Sequence, residues 1–112
     1  MEKQNISIIV ATHKKYWMPA DDMYIPIHVG REGKNDLGYT GDNTGDNISA
    51  KNANYCELTG LYWAWKNLQD DYIGLAHYRR HFRGAFGKKG FDAVLRESKL
   101  RPMFGRYRVF VP

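Results

Sequence analysis

A run of basic and aromatic residues follows directly on the apolar segment YIGLA at 72–76: His77, Tyr78, Arg79, Arg80 and His81. Guanidinium groups bind phosphate and carboxylate oxygens through paired N–H donors. Ordinary core packing does not require two adjacent arginines after a strand, so the run predicts an anion-binding site. The structural alternative is an ion pair between one of these arginines and a nearby acid: Asp70, Asp71 or Glu57.

Two more polar groups precede this run. The first predicted strand, at 6–11, leads into Thr12, His13 and Lys14. A glycine-rich polar loop at 30–47 leads into the third group: Asp42, Asp46, Asn47, Lys51 and Asn52. An acid before a helix start can bind ribose hydroxyls, a sugar or a cation, and the helix N-terminus favours anions. The alternative is a turn whose Asn47 or Ser49 merely caps the helix.

The elements that position these groups are predicted from periodicity. Buried strands are expected at 6–11, 24–29 and 72–76, with a further strand at 106–111. One helix is expected at 50–68, apolar nearly all round and buried between layers, with Cys56 an inert buried thiol and Trp63 and Trp65 in the core. A basic turn at 84–90 and a surface helix at 91–99 follow. This order predicts a single α/β domain over 1–112 with a mainly parallel sheet.

Composition limits the functional classes. The net charge of +5 divides into −3 over residues 1–76 and +8 over residues 77–112. Such a basic half attracts phosphates of nucleotides, nucleic acids or membrane head groups. No apolar run approaches the ~20 residues that span a bilayer. The single cysteine and the absence of a signal-peptide pattern at the start favour a cytoplasmic location.

Several long segments together resemble one known family: ATHK, PIHVG, TGDNIS, YCELTGLYWAWKN and DYIGLAHYRRHF. The chain is similar, from about residue 8 to residue 112, to the bacterial DUF4422 domain family, whose members are associated with glycosyl transfer in capsular and exopolysaccharide synthesis. The family domain is longer, and RVFVP at the end of this sequence looks like its middle strand. The resemblance therefore implies an N-terminal, donor-binding portion.

The family resemblance implies transfer of a sugar from a nucleotide-sugar, first of all a UDP-sugar, to a glycan or lipid-linked acceptor. It implies a GT-A-like, Rossmann-related layered fold, incomplete in this chain, with the donor at the carboxyl edge of the sheet. Thr12 and His13 would then meet base or ribose and Lys14 a phosphate, and peripheral association with the inner face of the membrane is a further expectation. The expected donor and phosphate contacts are Thr12, His13, Lys14, Asp46, Asn47, Asn52, His77, Tyr78, Arg79 and Arg80.

The sequence departs from the GT-A pattern at one point. Many such enzymes hold Mg²⁺ or Mn²⁺ with an Asp-x-Asp motif, whereas the corresponding stretch here offers His77, Tyr78 and Arg79. We expect Arg79 and Arg80 to take over some or all of the metal's role. Mg²⁺ or Mn²⁺ stays open as a cofactor, and no residue is assigned as a metal ligand. Asp46 and His77 are the candidates for a general base, and neither is favoured by the sequence.

Two alternatives of other classes stay open at this stage. The basic, aromatic second half suits single-stranded nucleic acid or phosphate binding, although no nucleic-acid-binding signature is present and no nucleic acid partner is expected. The chain could also be an inactive fragment.

Overall fold

The computed structural model describes residues 5–82 and 94–105. Its strands are β1 (Ile6–Thr12), β2 (Tyr24–His28), β3 (Thr40–Gly41) and β4 (Tyr72–His77). They form one sheet in the order β3-β2-β1-β4, and every pairing is parallel. The predicted α/β class and parallel sheet are confirmed. The short β3 lies inside the segment that is predicted as a polar loop. The sequence does not predict this strand, because two residues are too few to show an alternation of apolar and polar side chains.

The core lies on both faces of β1, whose seven residues are all buried. Ile8 and Val10 pack on one face with Tyr24 of β2, and Ile9 packs on the other face with Trp63. A parallel strand covered on both faces reads as a nearly continuous apolar run, which is the pattern ISIIVA shows.

The helical region is broken, contrary to the prediction of one helix at 50–68. A 3₁₀ turn at Ser49–Lys51 is followed by α1 (Asn52–Tyr55) and α2 (Leu58–Asn67). Between them Cys56 adopts φ 52° and ψ −132°, which no α-helix can accommodate. Cys56 is exposed, so the prediction of a buried thiol is also wrong.

Helix α2 buries one face only. Thr59, Gly60, Trp63 and Ala64 are buried, whereas Trp65 is 64% exposed and Leu58 is 50% exposed. The prediction that Trp63 is in the core is confirmed, and the same prediction for Trp65 is wrong. Gly60 brings the helix close to the sheet, because a Cβ there would lie 2.7 Å from Cγ1 of Val29.

The C-terminal described segment is only partly helical. Residues 94–96 are not helical, and α3 covers only Glu97–Leu100, so the predicted helix at 91–99 is wrong over 94–96. The Leu95 amide instead donates to the carbonyl of Phe82 over 2.7 Å. The predicted turn at 84–90, residues 91–93 and the predicted strand at 106–111 lie outside the described residues. Within the described ranges, no helix is both long and apolar enough to cross a bilayer.

Candidate anion-binding site at the carboxyl edge

Two of the three predicted groups meet at the carboxyl edge of the sheet. Strands β1 and β4 are neighbours, and Ala11 pairs with His77 in register. The Tyr78 amide then donates to the carbonyl of Ala11 over 3.0 Å. The loop after β1 and the run after β4 therefore lie side by side, as the parallel topology requires.

A cleft of about 500 Å³ opens at this edge, lined by Glu57, His77, Arg79 and Arg80. We call it the arginine cleft. Both arginines are exposed, and neither takes part in the ion pair found among residues 5–82 and 94–105, which joins Arg101 to Glu97. The structural alternative, in which an arginine is held by a neighbouring acid, is therefore not realised in this part of the chain.

A tight turn projects Arg79 from the end of β4. The amide of His77 donates to the carbonyl of Arg80 over 3.1 Å, and the amide of Arg80 donates to the carbonyl of His77 over 2.8 Å. At the tip of the turn, the Arg79 amide donates to Nδ1 of His77 over 3.3 Å. A neutral imidazole that accepts at Nδ1 carries its proton on Nε2. The turn therefore fixes the tautomer of His77 as well as the position of Arg79.

The electrostatics of His77 favour its neutral form. Burial is the main cause that lowers its pKa from the ordinary 6.5, and the positive charges of Arg79 and Arg80 lower it further. The Glu57 carboxylate opposes these effects by raising the pKa. Glu57 is therefore close enough to His77 to influence its charge, although Glu57 belongs to a different element.

The Tyr78 ring contacts several of the aromatic and basic side chains at this edge. Its side chain is 3% exposed, and His13 and Tyr16 make edge contacts with its ring at centroid distances of 5.3 and 5.1 Å. Lys14 Nζ lies 5.5 Å and the Arg79 guanidinium carbon 5.4 Å from the same ring. Tyr78 is predicted from the sequence as a ligand contact; in the structure its ring is buried and supports the exposed residues around it.

Thr12 shapes the loop that follows β1. It is 1% exposed, and its hydroxyl donates to the Lys14 carbonyl over 2.5 Å while accepting from the Lys14 amide over 3.2 Å. The Thr12 hydroxyl thus makes its hydrogen bonds within the loop, in a local turn typical of threonine. His13 and Lys14 are exposed and remain available to a ligand.

Asp42, which the sequence offered as a ligand-binding acid, has no accessible surface. Its carboxylate accepts from four donors: the Gly30 amide at 2.9 Å, the Arg31 amide at 3.1 Å, the Ser49 hydroxyl at 2.5 Å and the Thr59 hydroxyl at 2.6 Å. Because every lone pair that a ligand would use is already engaged, Asp42 is a structural group.

The polar groups at the helix start are also used internally. The side-chain NH₂ group of Asn47 donates to the Gly45 carbonyl over 2.9 Å, and its side-chain oxygen accepts from the Ser49 backbone amide over 3.1 Å. Ile48 is the N-cap of the 3₁₀ turn, so neither predicted residue occupies the N-cap position. The Asn47 side chain nevertheless satisfies the amide of Ser49, the first residue of that turn, as a capping side chain does. The side-chain NH₂ group of Asn52 donates to the Cys56 carbonyl over 2.7 Å and to the Thr59 hydroxyl over 2.9 Å, which supports the helix break.

Asp46 and His77, the two candidates for a base, lie at opposite ends of α2. Asp46 accepts from the Tyr62 hydroxyl over 2.9 Å, and Asn67, the last residue of α2, donates to its carbonyl over 2.9 Å. The Asp46 hydrogen bond raises the pKa of Tyr62. His77 instead shares the arginine cleft with Glu57, which precedes α2. Ten helical residues span about 15 Å, so the structure does not bring these two candidates together.

Glu57 is the cleft residue that sequence reasoning missed as a ligand contact. In a continuous helix it would lie in the middle of a turn, and its only suggested role was as a partner for an arginine. The break at Cys56 makes it the residue before α2 instead. The sequence carries no signal of that break, because a glycine would be expected at a backbone angle of φ 52° and position 56 is a cysteine.

The described residues do not fit the divalent metal site of the GT-A pattern. The position of the Asp-x-Asp motif carries an imidazole, a phenol and a guanidinium. Among residues 5–82 and 94–105, no three His, Cys, Asp or Glu side chains come together in a way that could hold a metal ion. We therefore derive no chemical step through a metal.

A parallel α/β sheet with basic loops at its carboxyl edge defines a layered domain of the kind that binds anionic ligands at that edge. The family model of DUF4422, described as a domain of unknown function, matches residues 7–112, and the chain belongs to this family. A comparison with curated proteins finds no match. Among solved structures, the apo structure of the WbbM bifunctional glycosyltransferase matches with a TM-score of 0.69 and 42% identity. The match covers 76% of this chain and 15% of that protein's chain, so this chain corresponds to a small part of it.

Proposed function

We propose that this chain forms the donor-binding part of a glycosyltransferase that moves a sugar from a nucleotide-sugar, a UDP-sugar in the first instance, to a growing glycan. The observation that carries the proposal is the arginine cleft, in which Arg79 and Arg80 stand exposed at the carboxyl edge without an ion pair from the described residues. The similarity of the fold to part of a glycosyltransferase supports the same class of activity.

Cleavage of the bond between sugar and diphosphate leaves negative charge on the departing nucleoside diphosphate. Two guanidinium groups can stabilise that charge through paired N–H donors without a metal. Nε2–H of neutral His77, in the same cleft, adds a third donor. The proposed division of labour places the diphosphate on Arg79 and Arg80, with the exposed His13 and Lys14 beside it for the nucleoside and its phosphate.

The proposal includes an acceptor in capsular or other exopolysaccharide synthesis, or a lipid-linked glycan, and a cytoplasmic enzyme at the inner face of the membrane. The outer face of the helical region suits contact with a lipid surface, since Tyr55, Leu58 and Trp65 are 49, 50 and 64% exposed. Lys66 Nζ lies 3.8 Å from the Trp65 ring centroid. Aromatic residues with a neighbouring lysine are typical of peripheral membrane contacts.

The test is a calorimetric titration of the 112-residue chain with UDP, GDP and CDP, with and without Mn²⁺. We expect saturable binding of one nucleotide and a loss of about 10- to 100-fold in Arg79→Ala, the range for removal of a charge-assisted hydrogen-bonded partner. Lys99→Ala, which removes an exposed cation on α3, is the matched control and is expected to leave the affinity unchanged.

Three results would count against the proposal. A chain with a cooperative melting transition that binds no nucleotide would contradict the donor site. Binding that disappears with EDTA and returns with Mn²⁺ would contradict the replacement of metal by arginine. Tighter, salt-sensitive binding to an oligonucleotide than to any nucleotide would favour a nucleic-acid-binding module.

A further inference from the structure

We propose that Glu57 is the general base that takes the proton of the acceptor hydroxyl, and that His77 acts beside it as a neutral N–H donor to the leaving diphosphate. The inference rests on the proposed function and assigns the catalytic base that the sequence leaves open between Asp46 and His77. It also commits the reaction to inversion at the anomeric carbon, because a base that activates the acceptor directly serves a single displacement.

Among the acids considered for the role of general base, Glu57 is the one with an accessible carboxylate in the cleft. Asp42 is fully buried with four donors on its carboxylate. The Asp46 carboxylate accepts from the Tyr62 hydroxyl, and its carbonyl accepts from Asn67 at the end of α2 farthest from Glu57. Of the acids in the described ranges, Glu57 is the one that lines the arginine cleft, and its carboxylate has no hydrogen-bond or ion-pair partner among these residues. A carboxylate facing an open cleft is free to receive a proton.

His77 lacks a free lone pair for the same task. Its Nδ1 accepts from the Arg79 amide, so its proton resides on Nε2. An imidazole in that state can donate at Nε2 but has no other nitrogen with which to accept a proton. Burial lowers the pKa of His77, which keeps this neutral form dominant near pH 7. His77 is thus equipped to stabilise a developing oxyanion rather than to abstract a proton.

The backbone delivers Glu57 to the cleft through a strained residue. Cys56 is the non-glycine residue with positive φ in the described part of the chain, and the side-chain NH₂ group of Asn52 donates to its carbonyl over 2.7 Å. Conformations of this kind cost about 1–3 kcal/mol and recur where a side chain must be aimed at a functional site. Here the strained residue ends α1, and the next side chain, that of Glu57, lines the arginine cleft.

The proposed step conserves atoms and charge. The acceptor O–H bond breaks, its proton passes to the Glu57 carboxylate, and the acceptor oxygen forms a bond to the anomeric carbon. The bond from that carbon to the diphosphate oxygen breaks, and its electron pair stays on the nucleoside diphosphate. Arg79, Arg80 and Nε2–H of His77 stabilise the resulting charge. The protonated Glu57 then returns its proton to solvent.

The first experiment tests the two groups without requiring turnover. Long-range ¹H–¹⁵N NMR spectra of the chain at pH 7 are expected to show His77 protonated at Nε2 only, and Glu57→Gln is expected to keep or tighten the affinity for UDP while Arg79→Ala weakens it. An Nδ1-protonated or doubly protonated His77 would overturn the assignment. So would a loss of UDP affinity in Glu57→Gln that appears only with Mn²⁺, since that result would make Glu57 a metal ligand.

The second experiment measures hydrolysis of UDP-glucose, UDP-galactose and UDP-N-acetylglucosamine, in which water takes the acceptor's place. Glu57→Gln is expected to lower kcat by about 10²- to 10⁴-fold with KM unchanged, and to remove the acidic limb of the kcat profile against pH. Glu57→Asp should retain part of the activity. Asp22→Asn, at an exposed acid outside the cleft, is the matched control and should behave as the unmodified chain does.

The outcomes separate the two proposals. Unchanged kcat in Glu57→Gln, or UDP-sugars that bind to the unmodified chain without any hydrolysis, would overturn the assignment of the base and leave the donor site standing. Failure of the unmodified, folded chain to bind any nucleotide would overturn the proposed function itself.

Discussion

The hydroxyl of Thr59 donates to Oδ2 of Asp42 over 2.6 Å and joins the first turn of α2 to the loop after β3. The same carboxylate also accepts from backbone amides after β2 and from the Ser49 hydroxyl. The buried carboxylate of Asp42 thus connects three other segments of the chain: the loop after β2, the 3₁₀ turn and α2. It holds α2, and with it Glu57, at the carboxyl edge of the sheet.

Asp42→Asn is expected to destabilise the chain by about 2–4 kcal/mol. The new NH₂ group would face N–H and O–H donors, which leaves buried donors without an acceptor. Urea unfolding monitored by tryptophan fluorescence measures the change in the free energy of unfolding. Asp22→Asn serves as a control for loss of an exposed acid, and equal stabilities for both variants would refute the structural role of Asp42.

Gly60→Ala is expected to destabilise the chain by about 1–3 kcal/mol, although alanine is the better helix former by about 1 kcal/mol. The added methyl would lie 2.7 Å from Cγ1 of Val29 and 3.4 Å from Cδ1 of Ile9. The Val29→Ala variant removes the closer of these atoms. A double-mutant cycle by thermal unfolding should therefore show that Gly60→Ala costs less in the Val29→Ala background, and additive effects would contradict this packing.

Cys56 is expected to react with a maleimide or an aromatic disulfide in the native state as fast as a thiol in an unfolded peptide, because it is exposed. Cys56→Gly is expected to stabilise the chain by about 1 kcal/mol, since glycine adopts φ 52° without strain. Mass spectrometry of labelling against time and a urea denaturation curve check the two statements. Protection of the thiol until global unfolding would contradict the exposure of Cys56.

The chain is expected to lose stability as the pH falls below about 6.5. Burial lowers the pKa values of His28, His77 and His81 in the folded state from the ordinary 6.5. Between the folded and unfolded pKa values the unfolded state binds more protons, so the free energy of unfolding rises with pH in that window. Urea unfolding at pH 5 to 8 measures the slope, which His81→Gln should reduce. A stability that is constant or higher at pH 5 would contradict the burial of these histidines.

Much of the fold follows from local sequence patterns. The strand ISIIVA is continuously apolar because β1 is covered on both faces, and YIGLA leads to the carboxyl edge where the basic residues cluster. Parallel pairing of β1 with β4 is then enough to place the loop of His13 and Lys14 beside the turn of Arg79. Pattern and topology together were sufficient to place these two groups in one region.

The remaining errors arise where long-range contacts override local preference. Leu58 and Trp65 fit a helical apolar repeat, but the sheet covers only one side of α2 and leaves both exposed. Asp42 has the local setting of a ligand-binding acid, and only its contacts with distant Thr59 and Gly30 reveal that it is internal. The sequence did not reveal Glu57, because the helix break that precedes it, supported by the Asn52 side chain, has no signature in a sequence pattern.

The buried ring of Tyr78, which His13 and Arg79 both contact, has a consequence for how a nucleotide would be read. The groups proposed for the nucleoside and those proposed for the diphosphate contact the same ring, so a ligand that positions one group would favour the bound position of the other. Uridine and pyrophosphate added as separate fragments would then bind cooperatively, each increasing the affinity for its companion. On the proposed function, such coupling would favour the intact nucleotide over either half alone.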